Sequence, residues 1–217
     1  MLITHARYLL LIAIFSLCQP TRADHGDHVD HATTKRPLFL FLLVHDDVQE
    51  RNNERLAHDY FSWLVKDLES FTDRRVVLEF VRNVPGLTDF SYKGEQLDAV
   101  WNPWQHNIDQ YLNRNNLPRN GTTKYVLLTQ DRINSSILGF TISNAYTGIA
   151  SLETFTAPAH ELGHMLGGAH DAAEVIYRKG WWCETNIFDV RNSLRANCYV
   201  YSDENKARIT EHLSQFP

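Results

Sequence analysis

Apolar residues in this chain alternate between two spacings, unbroken runs and one-in-three-or-four periodicity. From Pro37 to Val44 the run Leu-Phe-Leu-Phe-Leu-Leu-Val, closed by His45-Asp46-Asp47, predicts a strand buried on both faces. Between Gln49 and Phe71 apolar side chains fall at Leu56, Tyr60, Leu64, Leu68 and Phe71 among charges, which is helix spacing. A second strand is expected at Val76–Val81. Asn102-Pro103-Trp104-Gln105 has the form of a helix start, with Asn as cap, Pro at the first helical position and Gln completing a capping box; Trp104, Ile108, Tyr111 and Leu112 then share a face. Trp101 and Trp104 are expected to fill core. Further strands are expected at Tyr125–Thr129, Ile137–Thr141 and Thr147–Leu152, leading into a helix at His160. Beyond Asp171 the signals weaken to an apolar patch at Val175–Tyr177, the pair Trp181 and Trp182, and a closing helix at Asp203–Leu213. Strand, helix, strand, helix, three strands and helix, in that order, predict an α/β layer fold with right-handed crossovers and a mixed sheet.

The chemistry concentrates in the stretch His160 to Asp171, His-Glu-Leu-Gly-His-Met-Leu-Gly-Gly-Ala-His-Asp. On a helix, His160 and His164 lie one turn apart and aim two imidazoles at one point, with Glu161 beside them. Gly167 sits where a residue able to take positive φ would stop the helix, and the turn brings His170 back. Three neutral nitrogen donors without a thiolate suit a catalytic zinc whose fourth position is left to water. Zinc lowers the pKa of such a water from about 16 toward about 7, and Glu161 is placed to move its proton. No Gly-x-Ser-x-Gly elbow, phosphate loop or dinucleotide fingerprint competes. His45, His58, His106 and His212 are isolated and read as surface or capping residues.

This motif resembles that of the metzincin zinc endopeptidases, and Asp171 after the third His is most similar to the adamalysin (reprolysin) branch. Astacins usually carry Glu there, matrixins Ser or Thr, and serralysins Pro. The resemblance implies a metzincin-like catalytic domain: a mixed twisted sheet with helices, an antiparallel edge strand above the cleft, and a small irregular C-terminal subdomain. It places the upper subdomain at about residues 37–168 and the lower at about 169–217. It also implies one Zn2+ per chain on His160, His164 and His170, with Glu161 as general base. The edge strand would hold Gly139, Phe140 and Thr141, and a peptide or protein substrate would add to it as a further strand through main-chain hydrogen bonds. The chain departs from the family at the methionine turn beneath the zinc. Its only methionines are Met1 and Met165, and Cys198-Tyr199-Val200-Tyr201-Ser202 places Val200 where that methionine is expected. A valine keeps the floor apolar with less contact. Tyr199 or Tyr201 is a candidate hydrogen-bond donor to the substrate oxyanion.

Composition adds the setting. Arg7 followed by the apolar run Tyr8–Cys18 and a small residue at Ala23 reads as an export signal over residues 1–23, too short for a membrane span of about 20 residues. Residues 24–36, with His25, His28 and His31 among acids and no apolar periodicity, read as a flexible arm too short for a folded pro-segment; residues 37–217 form the catalytic domain. Loss of Arg7 and Arg22, with no acid in the signal, takes the formal charge from −5 to −7, which argues against nucleic acid or an anionic membrane as partner. Cys183 and Cys198 remain as an even pair and are expected to be bridged. Asn120 and Asn134 open glycosylation sequons that matter only in a eukaryotic source. The expected function is a secreted zinc endopeptidase, extracellular, or periplasmic if bacterial. The alternatives are a zinc hydrolase of non-peptide amides and a catalytically silent binding protein on the same fold.

Overall fold

The computed structural model describes residues 35–178, 180–189 and 194–217; the expected export signal and residues 24–34 of the expected arm lie outside the described residues. Strand β1 (Leu38–Val44) is followed by a helical stretch of three parts: α1 (Asn53–Leu56), a π turn (Ala57–Phe61) and α2 (Ser62–Thr72). Next come β2 (Val76–Val81), helix α3 (Leu97–Arg114), β3 (Thr123–Thr129), β4 (Gly139–Thr141), β5 (Thr147–Ser151) and helix α4 (Ala157–Met165). After a 3-10 turn at His170–Ala172, β6 (Val175–Arg178), β7 (Trp181–Glu184) and β8 (Ala196–Asn197) form a small second sheet, and α5 (Asp203–Ser214) closes the chain.

The main sheet has the order β2-β1-β3-β5-β4, parallel throughout except for β4, which pairs antiparallel with β5 at the edge. Successive side chains of a strand alternate between faces, and here both faces are covered. Leu38, Leu40, Leu42 and Val44 of β1, with Val126 and Leu128 of β3, face one core with Leu64, Leu68, Leu162 and Ile209 of helices α2, α4 and α5. Leu43, Tyr125 and Leu127 face the other with Trp104, Ile108 and Leu112 of α3. The predicted mixed α/β architecture and its antiparallel edge strand are therefore present. Trp101 and Trp104 are core, as expected.

Three boundaries differ from the sequence reading. The first helix starts at Asn53 instead of Gln49, because Asn52 turns the chain and its side chain accepts from the backbone N–H groups of Glu54 and Arg55. Its π turn inserts one extra residue, so Phe61 is the fully buried ring and Tyr60 is left half-exposed, its hydroxyl donating to the Leu152 carbonyl at 2.8 Å. Helix α3 starts at Leu97, so Pro103 lies inside it and does not open it. An internal proline costs about 3 kcal/mol. Burial of Val100 and Trp101, the latter edge-on to Phe140 at 5.2 Å, offsets that cost, and Pro103 points to solvent, where a lost backbone bond is least damaging. Strand β4 is shorter than expected because Asn134 Oδ1 accepts from the N–H groups of Ser136 and Ile137 and holds that stretch in a turn.

In the smaller sheet β7 pairs antiparallel with β6 and parallel with β8. A Cys183–Cys198 disulfide joins β7 to the segment after β8, as expected from the cysteine pair.

Candidate metal centre

Helix α4 carries the chemistry on one exposed flank and packs everything else. Ala157, Ala159, Leu162, Gly163 and Met165 are buried, with Pro158 in the first turn, where a missing N–H leaves nothing unpaired. Gly163 is required by closeness. A Cβ there would meet Ile187 Cδ1 at 2.5 Å and Tyr201 Cε1 at 2.8 Å. The helix ends as predicted at Gly167, whose φ is +99°, with Gly168 N–H donating back to the Gly163 carbonyl at 2.8 Å. The chain then runs extended through Ala169 and presents His170 to the same point as His160 and His164.

The three Nε2 atoms lie 3.1 Å (His160–His164), 2.9 Å (His164–His170) and 3.0 Å (His160–His170) apart. On the other side of each ring stands an acceptor. His160 Nδ1 faces the Asn186 carbonyl at 3.2 Å, His164 Nδ1 the Gly168 carbonyl at 3.0 Å, and His170 Nδ1 the Asp189 carboxylate at 3.8 Å. Carbonyl oxygens only accept, so the Nδ1 atoms of His160 and His164 carry the hydrogens and their Nε2 lone pairs point inward. Three imidazole nitrogens converging on one point, two of them with inward lone pairs, fit a cation, and an all-imidazole set fits zinc. Among the described residues this is the one group of His, Cys, Asp and Glu side chains close enough to hold a metal ion.

Glu161 stands beside the triad on the floor of a cleft of about 410 Å³. It is only 6% exposed, and burial pushes its carboxyl up to about 8. Edge strand β4 lies against it. A Cβ at Gly139 would come within 2.7 Å of both Glu161 Oε1 and the Ile149 carbonyl, so glycine makes room for the carboxylate. Apolar side chains from Leu97, Ile137, Leu138, Phe140 and Phe188 wall the cleft, and Asp189 stands at its rim.

No family model matches the chain, and no curated protein does. Its fold is shared with a metalloproteinase. The solved structure of metalloproteinase-II from Bacteroides fragilis superposes with a TM-score of 0.57 at 14% identity, over 82% of this chain and 53% of that one. This chain thus spans about half the length of that protein. A zinc-dependent peptidase from Methanocorpusculum labreanum aligns more loosely, with a TM-score of 0.42 and 12% identity over 78% of this chain and 99% of that one.

Of the residues expected at the site, His160, His164, His170 and Glu161 come together, and Gly139, Phe140 and Thr141 form the edge strand above them. Val200 does not form the floor. It is half-exposed and belongs to neither core, whereas Tyr201 is buried with its ring against Gly163 and its hydroxyl donating to the Ala159 carbonyl at 2.7 Å. A phenol ring with a hydroxyl that reaches the helix backbone fills this space better than a valine does. The same bond commits Tyr201, so it is no oxyanion donor, and Tyr199 sits edge-on to Trp63 at 5.0 Å, away from the cleft lining. Asp171 forms a paired contact with Arg208 at 2.8 and 3.3 Å. His45, His58, His106 and His212 stay apart from the triad.

Sequence reasoning missed three contributors. Asn186 and Asp189 supply acceptors behind two of the imidazoles. Asn205, fully buried at the start of α5, clamps the turn before His170: its Oδ1 accepts from Ala169 N–H at 2.8 Å and its Nδ2 donates to the Ala169 carbonyl at 3.2 Å. A Ser202-x-x-Asn205 cap pattern marks the start of α5, where the Ser202 side chain accepts from Asn205 N–H, but nothing in it points to a histidine turn far upstream.

Proposed function

We propose that the chain is an exported zinc endopeptidase of metzincin type, nearest the adamalysin branch, with His160, His164 and His170 holding one zinc and Glu161 as general base. Residues 1–23 would serve as export signal, 24–36 as arm and 37–217 as catalytic domain divided near residue 168, acting outside the cell or in a periplasm. The observation that carries the reading is the convergence of three Nε2 atoms beside a buried carboxyl, under a strand that has no partner on its outer side among the described residues.

Zinc, when bound, supplies Lewis acidity toward a peptide carbonyl and lowers the pKa of water. An extended substrate pairs with β4 through main-chain hydrogen bonds, which sets its scissile carbonyl above the imidazoles. Glu161 takes the proton of the attacking water on a carboxylate oxygen and passes it to the leaving amine nitrogen. Burial alone raises this carboxyl, and a cation held by the imidazoles would draw it back toward the carboxylate form the role requires.

The neighbouring residues have different jobs, so their variants separate. Glu161→Gln should keep close to one zinc per chain and parental stability while cleavage of an unbiased peptide mixture falls at least about 100-fold. His164→Ala should lose the metal. Elemental analysis beside mapped cut sites reads both, and a Glu161→Gln protein that cleaves like the parent, or arrives without zinc, would overturn the assignment.

A further inference from the structure

The tip of the β6–β7 hairpin shows three large aromatic side chains to solvent: Tyr177 is 63% exposed, Trp181 74% and Trp182 58%. Nothing in the proposed reaction uses them. Soluble proteins seldom leave so much ring surface clustered in water without a partner for it.

The register of the hairpin decides what kind of partner fits. Tyr177 pairs with Trp182 and Arg178 with Trp181. Side chains directly opposite share a face, and neighbours along a strand point to opposite faces. Tyr177 and Trp182 therefore occupy one face, their ring centroids 5.3 Å apart, and Trp181 with Arg178 the other. Strand β8 pairs only with Cys183 and Glu184, so among the described residues no third strand is paired with β7 at Trp181 and Trp182. At the turn, Gly180 has a φ of +89° and open space where a side chain would start.

Aromatic rings on both faces of a projecting ribbon suit a medium that surrounds the tip. A groove or flat protein surface would cover one face and leave the other wet. The headgroup layer of a bilayer is such a medium, and Trp and Tyr favour it because an apolar ring and a polar N–H or O–H are both satisfied there. Charge points the same way. The sequence from Tyr177 to Cys183 contains basic but no acidic residues, and Glu184, next along the strand, is buried and paired with Arg195 at 3.3 Å. The formal charge of −7 left after loss of the expected signal argues against an anionic surface for the molecule as a whole, but fields at a charged surface act over a Debye length of about 10 Å, so the composition of the tip decides what the tip meets. We propose that the β6–β7 tip docks the protein on an anionic lipid surface by seating Tyr177, Trp181 and Trp182 in the headgroup layer, with Arg178 facing anionic headgroups. The inference stands apart from catalysis.

The test is partition of the chain without its expected export signal, residues 24–217, onto extruded vesicles, either pure phosphatidylcholine or with a third of the lipid as phosphatidylglycerol. The protein should sediment with the anionic vesicles, its tryptophan emission should shift to the blue, and lipids brominated near the headgroup should quench it. Of the five tryptophans, Trp101 and Trp104 are buried and Trp63 is partly buried against Tyr199, so the shift reports mainly on Trp181 and Trp182 at the tip. Replacing both Trp181 and Trp182 by Ser should lower partition about tenfold or more, and Arg178→Glu about fivefold with weaker salt dependence. These side chains are exposed, so unchanged circular dichroism and an intact disulfide should show that the variants fold. Absence of partition at low salt would overturn the proposal, as would equal partition of the Trp double variant. So would binding without an emission change, which is adsorption by charge alone, or loss of protein cleavage in the Trp variant without lipid binding in the parent, which would make the tip a protein contact.

Discussion

Gly139 and Glu161 meet across the floor of the cleft, and the fit between them leaves no slack. A methyl group at position 139 would approach both the carboxylate and the Ile149 carbonyl to 2.7 Å, so either the base moves or β4 lifts. Gly139→Ala is expected to keep the metal, cost about 1–3 kcal/mol of stability and lower kcat at least about tenfold, as a displaced base does. Titrating zinc and measuring kcat on the same preparation checks it. A second residue tests the packing under the sheet. Lys124 is fully buried on β3 with one acceptor, the Ala145 carbonyl at 3.0 Å, and burial pulls its pKa from 10.5 down to about 8. Between those values the unfolded chain binds more protons than the folded one, so stability rises with pH across that window; below it the full penalty, about 3 kcal/mol, applies. Lys124→Met should therefore melt higher at pH 7, by an amount that shrinks as the pH passes 8 and is gone by about 10.5. Melting curves of both proteins across that range would show it. The histidines and Glu161 were legible in the sequence because one helix and one turn place them, and such spacing is local. Gly139 was expected on the edge strand from the family resemblance, but its contact with Glu161 was not legible, nor was Asn205, since both depend on the pairing of β4 with β5 and the return of α5.

At the scale of elements, the third imidazole depends on a helix that contributes no ligand. Helix α5 presents Asn205 to both sides of the Ala169 peptide and Ser202 to the Ala172 carbonyl, bracketing His170 from behind. Asn205→Ala removes both bonds to the turn and leaves its buried groups unpaired. The expected result is a stability loss of about 2 kcal/mol and zinc affinity weakened about 10- to 100-fold, the range seen when support behind a ligand is lost. Competition against a chelator of known affinity measures the second effect. Elements themselves were well marked by apolar spacing, and what escaped were their ends. Pro103 has the position of a helix opener by local rules, and only the burial of Val100, and of Trp101 against Phe140 of β4, carries the helix back to Leu97. The π turn escaped for a related reason. The spacing that favoured Tyr60 holds only for a regular helix, and Phe61 fits the core once one residue is added.

Across the whole molecule, the order of strands and helices sufficed to anticipate an α/β layer fold with a mixed sheet, because unbroken apolar runs need both faces of a sheet covered, while its antiparallel edge was implied by the family resemblance alone. The segment after His170 was harder to read. Its short strands have little periodicity, and its form depends on the bridge between Cys183 and Cys198, which are 15 residues apart. Closing a loop of that length contributes roughly 3 kcal/mol. Replacing both cysteines by serine should lower stability by about that amount and loosen the Asn186 carbonyl behind His160 along with it. Denaturant melts with and without zinc would register the two effects separately.

Strand β4 spans three residues, Gly139–Thr141, and among the described residues no strand pairs with its outer side. An open edge is also where copies of a protein zip together into aggregates, and natural sheets blunt that hazard by keeping exposed strands short. Three residues give a second molecule too few ladder bonds to hold a lasting sheet. A peptide gripped at the same time by the apolar walls of the cleft needs no longer a rail, so the brevity of β4 lets the edge stay available to a transient guest without becoming a seed for self-association.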